Sequence, residues 1–269
     1  MNETSLDACR TSAEWCEYFH SNHFPAFDLP WGDAYRLTPQ ERRAIEKSIQ
    51  QFQLGEGSDG KRLLRRGAEF GRAAGDPEFL TALEMLVREE QRHSAHLGQF
   101  MEAQGIPRLK THWVDSAFRW LRGLAGLELT LRVLVTAELI AVPYYRALHD
   151  ATRAPQLRGI CRRILREEAG HLRFQASLLA RVGRGRGALL QSSCAAAHGF
   201  FWVGTALLVW VEHRNVFRAA DYGLNQFVEE ALLGFLELNI AQREFGKSGG
   251  AKARREPLAE RVAEPGSPT

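Results

Sequence analysis

Long uncharged apolar runs are scarce in this 269-residue chain. The longest, residues 199–211, covers about 13 residues, short of the roughly 20 that a membrane-crossing helix needs. No transmembrane segment is expected, and this run reads as a buried helix. Cysteine is sparse: Cys9, Cys16, Cys161 and Cys194 match no CxxC spacing, which excludes zinc ribbons, zinc fingers and dithiol redox motifs. Free thiols and a cytoplasmic location are the expectation. The first residues, MNETSLDACRTSAEW, lack the basic and apolar regions of a secretory signal. An excess of one charge is absent too, since 35 Lys and Arg face 32 Asp and Glu for a net charge of +3. That balance gives no reason to expect a nucleic-acid partner.

Alternating strand patterns and internal repeats are missing as well, and what remains is helical periodicity. Residues 1–38 read as an N-terminal arm with Pro25, Pro30, Trp31 and Gly32. Thr38-Pro39-Gln40-Glu41 supplies an N-cap, a proline at the first helical position and an acidic first turn. One helix is expected over 39–74, stopping at Gly75-Asp76-Pro77, and a second from there to Gly105-Ile106-Pro107. About 20 residues then form a connection long enough to run the length of a bundle when extended. Helices over 127–150 and 155–182 follow. The expected fold is all-α: a four-helix bundle over 39–182 with a long crossover between its second and third helices. An additional helical hairpin over 183–246 and a disordered tail over 247–269 complete it.

Within this frame two words stand out. Glu90-Gln91-Arg92-His93 and Glu168-Ala169-Gly170-His171 each set a carboxylate and an imidazole three residues apart, on one helix face. The spacing alone is weak, because Glu17-Tyr18-Phe19-His20 matches it equally well. Register separates them. On the second helix the apolar stripe runs Phe79, Leu83, Leu86, Glu90, His93, Leu97, Phe100, and on the fourth Ile160, Ile164, Glu168, His171, Gln175, Leu178. The first reads Ile45, Ile49, Phe52, Glu56, Gly60, Leu63, and the third Leu127, Leu131, Leu134, Glu138, Ala141, Tyr145. Four helices thus each turn a glutamate inward, with no Lys or Arg at the stripe positions to neutralise them. Unpaired buried carboxylates cost several kcal/mol each, so cations are the natural counter-charge. Two imidazoles complete a mixed N/O donor set suited to iron or manganese.

These residues, in the words QLGEG around Glu56, REEQRH at 88–93, TAELI at 136–140 and REEAGH at 166–171, resemble the ferritin-like diiron-carboxylate family, in the rubrerythrin and ferritin-like superfamily. The resemblance covers about residues 39–182. It implies a metal site of Glu56, Glu90, His93, Glu138, Glu168 and His171, with Glu90 and Glu168 bridging two Fe ions, Mn or a mixed Mn/Fe pair being alternatives. It also implies a non-haem diiron oxidoreductase, an oxidase or oxygenase that uses O2 on a small apolar substrate. An external electron donor is then needed, since the chain has no reductase motif; a homodimer is allowed. The alternative is a ferritin- or rubrerythrin-like iron-handling or peroxide-reducing protein.

Other residues draw weaker expectations. Glu89 and Glu167 are expected to face solvent or to pair with Arg92 and Arg163, and Tyr145 to serve mainly in packing. His96 is expected beside the site or at the surface. Gly55 and Gly57 flank Glu56 and leave two readings, a distorted continuous helix or a helix end. His198, Glu212 and His213 fall on the extra helices, where a role facing a partner or a membrane is the open alternative.

Overall fold

The computed structural model describes residues 11–23, 31, 35–58, 60–124 and 126–247. Among these residues the chain is all-α, with no strand: α1 (Ser12–His23), α2 (Pro39–Glu56), α3 (Lys61–Ala74), α4 (Glu78–Ala103), α5 (Trp113–Leu124), α6 (Leu127–Asp150), α7 (Pro155–Val182), α8 (Ala188–Ala219) and α9 (Leu224–Lys247). The tail expected from residue 247 lies, beyond Lys247, outside the described residues.

Local chemistry explains most boundaries. Thr38 and Glu41 close a reciprocal capping box over Pro39 at the start of α2. Pro155 opens α7, and Gly75, at φ +64°, ends α3 in the left-handed conformation that glycine adopts freely. The single helix expected over 39–74 is two helices. α2 stops at Glu56, with Gly57 beyond it, and the chain re-enters a helix after Gly60, at φ +62°. Two glycines so close to an inward glutamate end the helix instead of distorting it. The expected extended crossover is also corrected, because α5 occupies most of it and packs on α6, bringing Phe118 to within 5.9 Å of Phe201 of α8 between ring centroids.

Four helices, α2, α4, α6 and α7, surround the central core, and α7 is buried along nearly all its length from Gln156 to Ala180. The other helices lie on this set. α3 packs against α4 and α6, α8 against α6 and α2, and α9 against α7 and α6. The N-terminal arm contains a helix that the sequence reading missed. α1 packs on α4, and its Trp15, Tyr18 and Phe19, spaced for one helical face, reach α7, where Trp15 and Phe19 each stand 5.2 Å from Phe174.

The reading of residues 199–211 as a buried helix short of membrane length needs correction. Leu189–Ala219 is long and apolar enough to cross a membrane by length and composition, with a mean hydropathy of 1.6 in its most apolar window, only 22% of which is buried. Uncharged residues such as Gln191, Ser192 and Ser193 extend the charge-free stretch beyond the strictly apolar run. One side of α8 docks on the core. The other leaves Phe200, Val203, Leu207 and Val211 exposed, and Leu232 and Leu236 of α9 are exposed as well.

The break after Glu56 has a measurable requirement. A Cβ on Gly60 would lie 2.7 Å from Val87, in a left-handed conformation, whereas one on Gly55 meets nothing within 4 Å. Gly60→Ala is expected to destabilise by about 1–3 kcal/mol. Gly55→Ala should range from neutral to about 1 kcal/mol stabilising. Chemical denaturation of both variants checks the contrast.

Candidate metal centre

Helical register brings all six expected side chains to one place. Their donor atoms form two sets, Glu56, Glu90, His93 and Glu168, and Glu90, Glu138, Glu168 and His171, each within 4.8 Å of one another. Glu90 and Glu168 belong to both. Each set thus combines two shared carboxylates with one further glutamate and one histidine. By contrast Glu17 and His20 of α1 are exposed, and the equally spaced decoy lies outside the cluster.

The donor atoms have few other partners. Glu90 Oε1, His93 Nδ1, Glu138 Oε2, Glu168 Oε2 and His171 Nδ1 are buried without a satisfying hydrogen bond, although His171 Nδ1 lies 2.8 Å from Glu90 Oε1. Orphaned polar atoms are rare in a protein interior and costly singly. Five converging on one point fit a cation, and a set of carboxylate oxygens and imidazole nitrogens fits iron or manganese chemically. These buried Glu and His groups could hold a metal ion.

A second layer of residues fixes the donors. His93 Nε2 donates to Glu167 Oε2 at 2.7 Å, and His171 Nε2 donates to Glu89 Oε2 at 2.9 Å. Each histidine of one helix is therefore held by the glutamate preceding the shared carboxylate of the other. With the Nε2 proton committed to a carboxylate, Nδ1, which faces the cluster, is the atom left to offer a lone pair to a cation once its own proton is displaced. Glu89 and Glu167 do pair with Arg92, at 2.9 and 3.1 Å, and Glu167 also with Arg163 at 2.9 Å, but they are buried, not solvent-facing as expected. The repeated doublet in REEQRH and REEAGH carried this signal. A pattern of apolar positions assigns one residue per turn to the core and so passes over its neighbour. Arg92 and Arg163 balance the outer carboxylates, and among the described residues no Lys or Arg forms an ion pair with the inner four. His96 is half-buried and outside both donor sets.

Tyr145 does more than pack. Its hydroxyl donates to Glu56 Oε1 at 2.6 Å, and Gln175 donates its amide to Glu138 Oε1. The two unshared glutamates are thus each oriented by a neutral donor. On the outer side of the centre, Phe19 of α1 stands 6.1 Å from the His171 ring, and Tyr18 packs over Gly170 so closely that a Cβ there would collide with it. α1 thereby helps keep water from the His171–Glu89 pair.

Electrostatics follow from crowding. Burial, then repulsion from Glu90, raises Glu56 well above the ordinary carboxylate range; burial, then Glu168, does the same for Glu138; Glu168 is raised by burial and Glu90. For Glu90 burial works against the charge, yet His171 holds it down at about 2. Burial likewise opposes charge on both histidines, but their carboxylate neighbours raise them.

Two cavities meet the cluster. One, of about 160 Å³, touches Glu56, Glu90, Glu138 and Glu168 and is walled by Phe52, Val114, Phe118, Leu134, Ile140, Ala141 and Val209. The other, of about 340 Å³, approaches Glu56 and Glu90 past Ser58, Lys61 and Arg62 at the break between α2 and α3. Comparison of the chain with protein-family models, curated proteins and solved structures gives no match.

Two outcomes are expected. Glu89→Gln and Glu167→Gln, which keep shape but weaken the hold on the imidazoles, should each lower metal affinity about 10–100-fold in a competition titration. A cation must also displace the protons held on Glu56, Glu138, Glu168 and the two imidazoles. Affinity should therefore rise with pH, and calorimetry in buffers of different ionisation enthalpy should register proton release on binding.

Proposed function

We propose that the chain is a ferritin-like diiron-carboxylate oxidase or oxygenase acting on a small apolar molecule. The observation that carries this reading is the apolar cavity whose floor is the carboxylate cluster itself. A recess walled mainly by apolar side chains beside the donors suits an organic substrate, while the wider opening past Lys61 and Arg62 offers ions a separate path to the same carboxylates. The arrangement of α2, α4, α6 and α7, with the long α4–α6 connection, supports the ferritin-like assignment.

Two ions would be held between Glu90 and Glu168, one completed by Glu56 and His93 and the other by Glu138 and His171. When bound as ferrous iron, they supply the electrons with which O2 is reduced. The residues of the chain do the rest. Glu89 and Glu167 keep the imidazole protons on Nε2, and Tyr145 and Gln175 keep the two unshared glutamates aimed inward. Phe52, Leu134, Ile140 and Val209 give the space where a substrate would sit its apolar walls. Sustained turnover requires an external reductant. The polar approach past Lys61 and Arg62 is a second opening to the same carboxylates.

Anaerobic loading with Fe(II) followed by exposure to O2 tests the proposal. About two Fe per chain and prompt O2 consumption are expected. Glu138→Ala should lose both, and Glu17→Ala neither. Equal effects of the two substitutions, or no metal uptake, would overturn the reading, and uptake of many irons by an assembly near 24 chains would replace it with iron storage.

A further inference from the structure

Apart from the cluster carboxylates, two buried polar side chains line the apolar cavity among the described residues, Thr205 and His213. His213 is contributed by α8, outside the four helices that hold the cluster, yet it lines the same cavity and is only 5% exposed. Its ring is wedged edge-on against Phe52 and Tyr144, with centroids at 5.1 and 5.3 Å. Its Nδ1 lies 2.8 Å from Ser48 Oγ, and that hydroxyl is in turn 2.9 Å from Tyr144 Oη. Aromatic contacts fix the plane of the ring, and the Ser48–Tyr144 pair fixes its rotation. Nε2 is then the one hydrogen-bonding atom of the ring without a partner among the described residues.

Other polar residues on the wall are placed differently. Thr205 is buried but donates its hydroxyl to the Phe201 carbonyl at 2.9 Å, and Gln51, His112 and Asp115 are half-buried. The rest of the wall is mainly apolar, with His112 the titratable neighbour of His213. A buried polar atom in such a wall rejects ligands that cannot pair with it and favours those that can.

We propose that His213 orients the substrate, and that the substrate is a small, mainly apolar molecule carrying one hydroxyl group. This rests on the reading of the cavity as the substrate site. A hydroxyl matches Nε2 whichever way the Ser48–Tyr144 chain is polarised, because it donates to a bare nitrogen and accepts from a protonated one. Burial and the nearby His112 push the His213 pKa down to about 4, so the ring is neutral in ordinary buffers and selects an uncharged partner. The volume, about 160 Å³, is close to that of an engineered apolar cavity of about 150 Å³ that takes up benzene. A single ring with a short substituent therefore suits it.

Benzyl alcohol and ethylbenzene differ in little but a hydroxyl in place of a methyl, and they serve as probes for metal-loaded protein, read by calorimetry or ligand-observed NMR. Wild-type protein is expected to bind the alcohol at least as tightly as the hydrocarbon. His213→Leu should weaken the alcohol about tenfold and leave the hydrocarbon unchanged, while His213→Asn restores part of the discrimination. Retained ethylbenzene binding shows that the variant cavity is folded. Should His213→Leu fail to fold, Ser48→Ala, which frees the ring to rotate, is expected to erode the preference in the same direction. Identical relative affinities in wild type and variants, or no binding of either probe, would overturn the proposal. Metal content measured on the same samples separates the two readings. Loss of discrimination with two metals retained counts against the hydroxyl assignment alone, whereas His213-dependent discrimination without metal counts against the diiron reading alone.

Discussion

Like charge, gathered where water cannot screen it, is the constraint on which this structure rests. Glu56, Glu90, Glu138 and Glu168 approach one another at the centre of a helical core, and their donor atoms share a space a few ångströms across. Left alone, the cluster can persist only by keeping protons on some of its carboxyls, the direction in which burial pushes Glu56, Glu138 and Glu168. A cation relieves the same repulsion without the protons. The core is therefore built around a charge deficit, and hydrophobic packing on the four helices supplies the stability that tolerates it.

Around that deficit the molecule sorts its polar groups into layers. The inner glutamates and the Nδ1 atoms face one another. The outer glutamates, Glu89 and Glu167, face arginines on one side and imidazole N–H groups on the other. Exchange across helices gives this layer its stiffness, because His93 of α4 and His171 of α7 each depend on a carboxylate of the other helix. Sliding either helix by one residue would break both pairings together, so the second layer fixes helix register as well as imidazole orientation.

The inner layer was legible in the sequence because it obeys a period. Glu90, His93, Glu138, Glu168 and His171 sit where a 3.6-residue repeat calls for apolar side chains, and an interior carboxylate is conspicuous there. The boundaries of α6 and α7 were legible too, since Gly126, Pro155 and Gly183 bracket them. Other features obey no local period. Glu89 and Glu167 are buried only because another helix covers their flank, His213 reaches the cavity only because α8 folds back across α2 and α6, and α1 is positioned by α4 and by Phe174 of α7, both far along the chain. The break after Glu56 had a local signal, the glycines at 55, 57 and 60, but apolar periodicity runs on through Leu63 and masked it.

That break bears on chemistry as well as shape. Glu56 is the last residue of α2, and it lines both cavities. A carboxylate at a helix end has backbone freedom on one side that one in mid-helix lacks, so it needs holding from elsewhere. Tyr145 provides the hydrogen bond, and Phe52, one turn earlier on α2, stacks on Tyr144 at 3.4 Å. Adjacent tyrosines of α6 thus pin the side chain and the helix that carries it. Tyr144 also belongs to the chain through Ser48 that sets the His213 ring. Phe52, Tyr144 and His213 thus join the wall of the apolar cavity to the helix end that carries Glu56, and the connection includes α8, a helix that contributes no residue to the carboxylate cluster.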